Sequence, residues 1–212
     1  MNAWYANIAD CARNIYVTSS LRQRRRLETA REIQLATLEL AMQKGLEDVT
    51  TEEIAVDAGV STRTFFNYYP NKEAAAIGHP PKFSKEAKEA LRDGENSLAE
   101  DLKQLLDKHM EILAREEPVL RMIGNILQTN EKARGILEGF LIHERIALTK
   151  TLNERVKNEK AAAALAKSAT DSVGAAIFHW EHEDGITLPE AMDVVWAGLL
   201  DASRLLLSSP TR

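Results

Sequence analysis

Residues 50–73, with the sequence TTEEIAVDAGVSTRTFFNYYPNKE, decide the fold of this chain. They contain two short helical patterns separated by Gly59, and a glycine is suited to the left-handed backbone conformation that a tight turn between helices requires. Thr50 or Thr51 is placed to cap the first helix, and Ser61 is placed to cap the second. The stretch therefore predicts a helix-turn-helix.

The second helix of this motif has the two faces that a DNA-reading helix needs. Its first residues, Thr62, Arg63 and Thr64, are small, polar or basic and suit contact with base edges. Phe65 and Tyr69 lie four residues apart and can share an inward face. This division predicts DNA binding through the second helix.

Helical patterns continue on both sides of the motif. Apolar residues recur at helical spacing from Leu27 to Ala41, and Gly45 ends that helix. Beyond the prolines at 80 and 81, further helices are predicted at about 83–92, 97–115, 117–129, 131–157, 160–182 and 188–207. The whole chain is predicted to be all-α.

Composition limits the function classes. The formal net charge of −5 argues against a protein that coats nucleic acid, but a local basic patch is enough for a site-specific binder. The single cysteine, Cys11, excludes an intramolecular disulfide or a cysteine zinc site. No apolar run resembles a signal peptide or a membrane span, so we expect a cytoplasmic protein without a membrane partner.

Residues 1–21 form an N-terminal extension with two open interpretations. They are either an additional helix packed on the body or upstream sequence, with Val17 as an alternative start. The domain organisation predicted from sequence is then this extension, a helix-turn-helix domain over 22–80, and a second helical domain over 81–212.

Residues 25–75, and above all the quoted stretch, resemble the DNA-binding domain of the tetracycline-repressor (TetR) family. The match combines the turn, the pattern Thr-aromatic-aromatic-x-aromatic-aromatic, and Asn-Lys-Glu at the next helix. The resemblance implies an N-terminal three-helix DNA-binding domain and a C-terminal helical domain for effector binding and dimerisation. It also implies a homodimer on a palindromic operator in double-stranded DNA, released by a small-molecule effector that the sequence does not identify.

The resemblance assigns DNA contacts by position. Thr51 and Lys72 match phosphate contacts, while Thr62 and Arg63 match positions that read bases, with Arg63 suited to a bidentate guanine contact. Phe66 replaces a tyrosine common in the family, which removes a hydroxyl that bonds to phosphate. The full predicted set is Arg24, Arg25, Arg26, Thr51, Ser61, Thr62, Arg63, Thr64, Phe66, Tyr68 and Lys72. The arginines form a basic arm with Arg22, and such arms reach flanking phosphates or the adjacent minor groove.

The C-terminal half supplies two further predicted sets, and intramolecular core is the alternative for both. The last two helices would form the dimer interface through Val173, Ile177, Trp180, Val195, Trp196 and Leu199. The preceding helices would line an effector pocket with Met110, Leu113, Met122, Ile126 and Phe140.

Other functions find less support in the sequence. There is no nucleophile motif and no phosphate-binding glycine loop, so an enzyme is not expected, and neither is a cofactor. His179, His182 and Glu183 are interpreted as solvated residues at a helix end, so no metal site is expected. A transcriptional activator, or a DNA-binding protein whose second half binds a protein partner or only dimerises, stays open.

Overall fold

The computed structural model describes residues 21–207, and the predicted N-terminal extension lies outside them except for Leu21. This part of the chain contains helices and no strand, which confirms the all-α prediction. The helices are α1 (Leu21–Lys44), α2 (Thr51–Asp57), α3 (Thr62–Tyr68), α4 (Lys72–Ile77), α5 (Lys85–Asp93), α6 (Leu98–Ala114), α7 (Glu117–Thr129), α8 (Glu131–Val156), α9 (Glu159–His182) and α10 (Leu188–Leu207), with a 3-10 turn at Leu46–Asp48.

The chain divides into two compact units. The first contains the described residues up to Pro80 together with Pro118–Leu137, and the second contains Pro81–Glu117 and the described residues from Glu138 onward. The segment Pro118–Leu137 therefore belongs with the helix-turn-helix, although the sequence pattern places it in the C-terminal domain. None of the helices over residues 21–207 has the length and apolar content needed to cross a membrane.

The first unit is built around α1, whose inward face carries Ala30, Ile33 and Ala36. These residues pack with the buried side chains of α2, α3 and α4, which are Ile54, Ala55, Phe65 and Ala75, and with Val49 and Tyr69. Burial of this apolar surface is what holds the short motif helices in place, since helices of six or seven residues are not stable alone.

Gln34 fastens α1 to the end of α4. Its side chain is 6% exposed, and Nε2 donates to the carbonyl oxygens of Ala76 and Ile77 at 3.2 and 3.1 Å. Gly78 follows with φ +65°, and a Cβ there would lie 2.2 Å from the Gln34 amide nitrogen. The glycine thus leaves room for the buried amide that satisfies two helix-end carbonyls.

Gln34→Leu is expected to destabilise the protein by about 2–3 kcal/mol, because two buried carbonyls lose their donor while the side-chain volume is kept. Urea denaturation measures the change in the free energy of unfolding. Gln43→Leu is the matched control, since Gln43 is an exposed glutamine of the same helix. Equal stability of the two variants would contradict the assigned role.

The second unit contains a hydrogen-bonded polar cluster at the start of α6. The Arg155 guanidinium donates to Asp101 Oδ2, to the Leu91 carbonyl and to the Asn96 carbonyl, each at 2.7 Å. The hydrogen bond from the Asn96 amide, which is the largest cause, and the bond and charge of Arg155 lower the pKa of Asp101. Gly94 lies beside the carboxylate, where a Cβ would come within 2.2 Å of Oδ2. This polar cluster joins the end of α5, the start of α6 and the end of α8 by hydrogen bonds.

His109 is buried in the apolar interior of the same unit. Its ring centroid lies 4.6 Å from that of Phe83, and its Nδ1 has no hydrogen-bond partner. Burial lowers the pKa of His109 from 6.5 to about 4, because the charged ring would lose its hydration. The folded protein therefore keeps this imidazole neutral over a pH range in which an unfolded chain would protonate it.

Stability is expected to fall as pH drops from 6.5 toward 4, because the unfolded chain then binds a proton that folded His109 does not. The contribution is fully present above pH 6.5, and the loss approaches about 3 kcal/mol near pH 4. His109→Leu removes this contribution. Denaturation at pH 7 and pH 5 measures it, and an unchanged difference between the two pH values in the variant would disprove it.

Candidate DNA-binding surface

The turn between α2 and α3 has the geometry of a helix-turn-helix. Gly59 adopts φ +67°, and the Val60 amide donates to the Ala55 carbonyl at 2.8 Å. Val60 packs against the buried cluster of the first unit. Ser61 then takes an extended conformation, and its Oγ accepts the Thr64 amide at 3.0 Å, which starts α3.

The start of α2 is fixed by Thr50, so this residue and not Thr51 is the cap. Thr50 Oγ1 accepts the Glu53 amide at 3.2 Å, and the Glu53 carboxylate accepts the Thr50 amide at 2.8 Å, a reciprocal capping box. The Lys44 ammonium, 2.6 Å from Glu53, and the Thr50 bonds lower the pKa of that carboxyl to about 2. Thr51 lies one residue further along, with its hydroxyl donating to Glu52 at 3.2 Å.

The inward face of α3 anchors the helix to the core. Phe65 is fully buried, and Tyr69, just beyond the helix, is 3% exposed with its hydroxyl donating to the Ala30 carbonyl at 3.1 Å. Burial raises the pKa of Tyr69 to about 12. These contacts determine which residues of α3 point away from the protein.

The outward face of α3 consists of Arg63, Phe66 and Asn67, which are all exposed. They lie at positions i, i+3 and i+4 and therefore share one side of the helix. Asn67 is absent from the residues predicted by sequence, although its spacing of four from Arg63 is a signal for it. Its amide can form a bidentate pair with adenine.

Two of the hydroxyls near the start of α3 bond to each other. Ser61 Oγ and Thr64 Oγ1 lie 2.8 Å apart, and Ser61 also caps the helix. Thr62, Thr64 and Tyr68 are half-buried. Ser61 and Thr64, which the sequence predicts as DNA contacts, thus also stabilise the start of α3.

Lys72 lies in the first turn of α4, after Asn71, whose Oδ1 accepts the Ala74 amide at 2.8 Å. The Lys72 ammonium donates to the carbonyl oxygens of Glu47 and Val49 at 2.6 and 3.0 Å. An ammonium has three N–H donors, so one stays available for the predicted phosphate contact.

The basic cluster is helical, which corrects its interpretation as an arm. Arg22, Arg24, Arg25 and Arg26 lie in the first turns of α1, where all four are exposed. Arginine is a good helix former and no glycine or proline interrupts 21–44, so the helix extends through the cluster. The Arg26 guanidinium lies 6.0 Å from the centre of the Tyr68 ring, which joins the cluster to the end of α3.

Comparisons with known proteins match this geometry. Residues 33–74 match the family model described as bacterial regulatory proteins, tetR family. The helix-turn-helix region therefore carries the N-terminal domain of the TetR family. This domain supports a DNA-binding transcriptional regulator.

Solved structures of bacterial regulators share the fold. A Syntrophomonas wolfei protein assigned to the TetR family has 18% identity and a TM-score of 0.61, with 84% of this chain and 95% of that chain covered. FadR from Bacillus subtilis, solved in complex with stearoyl-CoA, has 19% identity and a TM-score of 0.50, covering 78% and 95%. The fatty acid degradation regulator FadR from Bacillus halodurans has 19% identity and a TM-score of 0.50, covering 83% and 96%. No curated protein sequence matches the chain.

The residues predicted to line an effector pocket are distributed over both units. Met110 and Leu113 are buried and Phe140 is half-buried in the second unit, whereas Ile126 is buried and Met122 half-buried in the first. Their role as a ligand site stays a prediction of the TetR-family resemblance.

The predicted dimer residues divide by exposure. Val173 and Trp180 are 8% and 3% exposed, so they belong to the core of the second unit, where α9 packs on the chain's own helices. The other four, Ile177, Val195, Trp196 and Leu199, are half-buried. Trp196 and Leu200 line a shallow groove of about 330 Å³ with Ala99 and Lys103 of α6.

The end of α9 carries the histidines considered as metal ligands. His179 Nε2 lies 2.9 Å from Glu183, and the His182 ring stacks on Phe178 at 4.1 Å. Over residues 21–207, no group of three or more His, Cys, Asp or Glu side chains is placed to hold a metal ion.

Proposed function

We propose that this TetR-family regulator is a homodimeric repressor that binds a palindromic operator and is released by a small-molecule effector. The observation that carries the proposal is the outward face of α3, where Arg63 and Asn67 offer two side chains suited to base edges. A single such helix reads only a few base pairs, and a two-fold dimer doubles the site.

The exposed faces of α9 and α10 support the homodimer. Phe178 and Val194 are 62% and 52% exposed, and a Cβ added at Gly174 or Gly198 would meet no atom within 4 Å. At the end of α10, Leu205, Leu206 and Leu207 are between 75% and 87% exposed. Apolar and small residues exposed together on two long helices suit close packing against a second copy.

The connection between effector and DNA is proposed to run through the start of α8. Asn130 caps this helix, and its Nδ2 donates to Glu47 Oε1 at 2.7 Å. The Lys132 ammonium lies 3.0 Å from the buried carboxylate of Glu73 in α4. A displacement of α8 would therefore pull on the 3-10 turn and on α4, which changes the separation of the two recognition helices in a dimer.

Selection of bound sequences from a random duplex library tests the proposal. Enrichment of an inverted repeat is expected, with half-sites centred about one helical turn or a multiple apart. Stearoyl-CoA is the first effector probe, since the Bacillus subtilis structure contains it. Loss of operator binding on adding stearoyl-CoA would support release of the protein from DNA by an effector. Enrichment of no sequence at all would refute site-specific binding.

Activation is the second candidate, and one surface favours it. Val56 of α2 is 81% exposed and lines an open groove with Leu40, Glu52 and Asp57. An apolar residue among carboxylates suits contact with a basic protein partner at the promoter. Transcription in vitro from a template carrying the selected operator distinguishes repression from activation. Adding the protein lowers the amount of transcript if it is a repressor and raises it if it is an activator.

The cellular location follows from the proposed partner. Operator DNA is found in the bacterial cytoplasm, so we place the protein there. No enzymatic activity or cofactor forms part of the proposal.

A further inference from the structure

Phe66 is an exposed aromatic side chain at the centre of the outward face of α3. It is 53% exposed and lies between Arg63 and Asn67 on that face. Its ring meets the ring of Phe65 edge-on, with centroids 5.2 Å apart and planes at 88°. Because Phe65 is fully buried, this contact holds the exposed ring in a defined position.

The chemistry of phenylalanine limits what this ring can contact on DNA. It has no hydroxyl or amide, so it cannot donate a hydrogen bond to a phosphate. In a DNA groove, such a ring gains free energy mainly by leaving water against another apolar group. In the major groove, the apolar group on a base edge is the C5-methyl of thymine.

We propose that Phe66 reads a thymine methyl group in each half-site, next to the base pairs contacted by Arg63 and Asn67. The inference rests on the proposed function, since it requires α3 to lie in the major groove of an operator. It makes Phe66 a determinant of sequence specificity, whereas its position in the family pattern suggests a contact to the DNA backbone.

Replacing thymine by deoxyuridine tests this contact directly. The exchange removes one methyl group and keeps every base-pairing atom and phosphate. Each thymine of the selected operator is exchanged in turn, first in one half-site and then in both. At one position per half-site we expect the wild-type affinity to fall roughly 4-fold, and roughly 15-fold with both half-sites exchanged.

Variants of the outward face complete the test. In Phe66→Ala, the same exchange is expected to have no effect, because the methyl has lost its partner. Phe66→Leu should keep part of the sensitivity, and since Phe66 is exposed both variants retain the buried core. Asn67→Ala is the matched control: its overall affinity falls, but its sensitivity to the methyl persists.

Two results would overturn the assignment of Phe66. One is a wild-type protein that binds all deoxyuridine operators as tightly as the thymine operator. The other is a methyl effect of unchanged size in Phe66→Ala. If no operator can be selected, the proposed function itself fails and this inference fails with it, so the two failures are distinguishable.

Discussion

Gly198→Arg is expected to separate the homodimer and to weaken operator binding roughly 10²–10⁴-fold. Gly198 lies on the exposed face of α10, and a Cβ there meets no atom within 4 Å. The arginine therefore fits the isolated chain and even improves helix propensity. In a two-fold interface the substitution occurs twice, so two charged side chains would meet where the helices must approach closely. A monomer loses the second half-site and the affinity gained from linking the two.

Light scattering of the purified protein and an operator titration measure the two effects. Ala90→Arg is the matched control, because Ala90 is exposed on α5 and the change adds the same charge. The control is expected to remain dimeric and to bind normally. A Gly198→Arg protein that is dimeric and binds the operator with unchanged affinity would place the interface on another surface.

The helices of this protein could be predicted closely from sequence because their limits are local. Predicted helices at 117–129 and 188–207 coincide with α7 and α10, and a prediction of 131–157 compares with Glu131–Val156 for α8. Caps, prolines and glycines determine these limits within a few residues of each helix end. The turn at Gly59 was predictable for the same reason.

Contacts between distant parts of the chain were not predictable from the same patterns. Asn130 bonds to Glu47 across 83 residues, and no spacing rule connects the two. Helical spacing identified the apolar stripe of α9, yet it could not tell which side faces the chain's own core. Val173 and Trp180 proved to be inside, while Phe178 is exposed. Only the packing of α9 against its neighbouring helices determines which side of it is buried and which is exposed.

The candidate site shows both cases. The side of α3 that faces outward follows from the burial of Phe65 and Tyr69, so the exposure of Arg63 could be anticipated. The bond between the Ser61 and Thr64 hydroxyls could not be anticipated, since it depends on the rotamers of two small side chains. The bonds from Lys72 to the Glu47 and Val49 carbonyls could not be anticipated either, because the partners lie more than twenty residues apart in the chain.

Arg63→Ala is expected to lower operator affinity roughly 30- to 10⁴-fold in the dimer. Each bidentate contact between arginine and guanine contributes about 1–3 kcal/mol of discrimination, and a homodimer has two such contacts. Arg63 is exposed at the start of α3, so its removal leaves the fold unchanged. Random-library selection with the variant is expected to return the same inverted repeat with one relaxed position in each half-site.

Comparison with Arg24→Ala separates a contact to a base from a contact to a phosphate. Arg24 lies in the basic cluster of α1, where a proposed phosphate contact carries no sequence information. Its loss should weaken binding to all sequences about equally and reduce the dependence of affinity on salt by about one counterion per half-site. Arg63→Ala should instead abolish the preference at one base pair while salt dependence changes less. If both variants weakened every sequence alike, Arg63 would be a phosphate contact, and base reading would rest with Asn67 and Phe66.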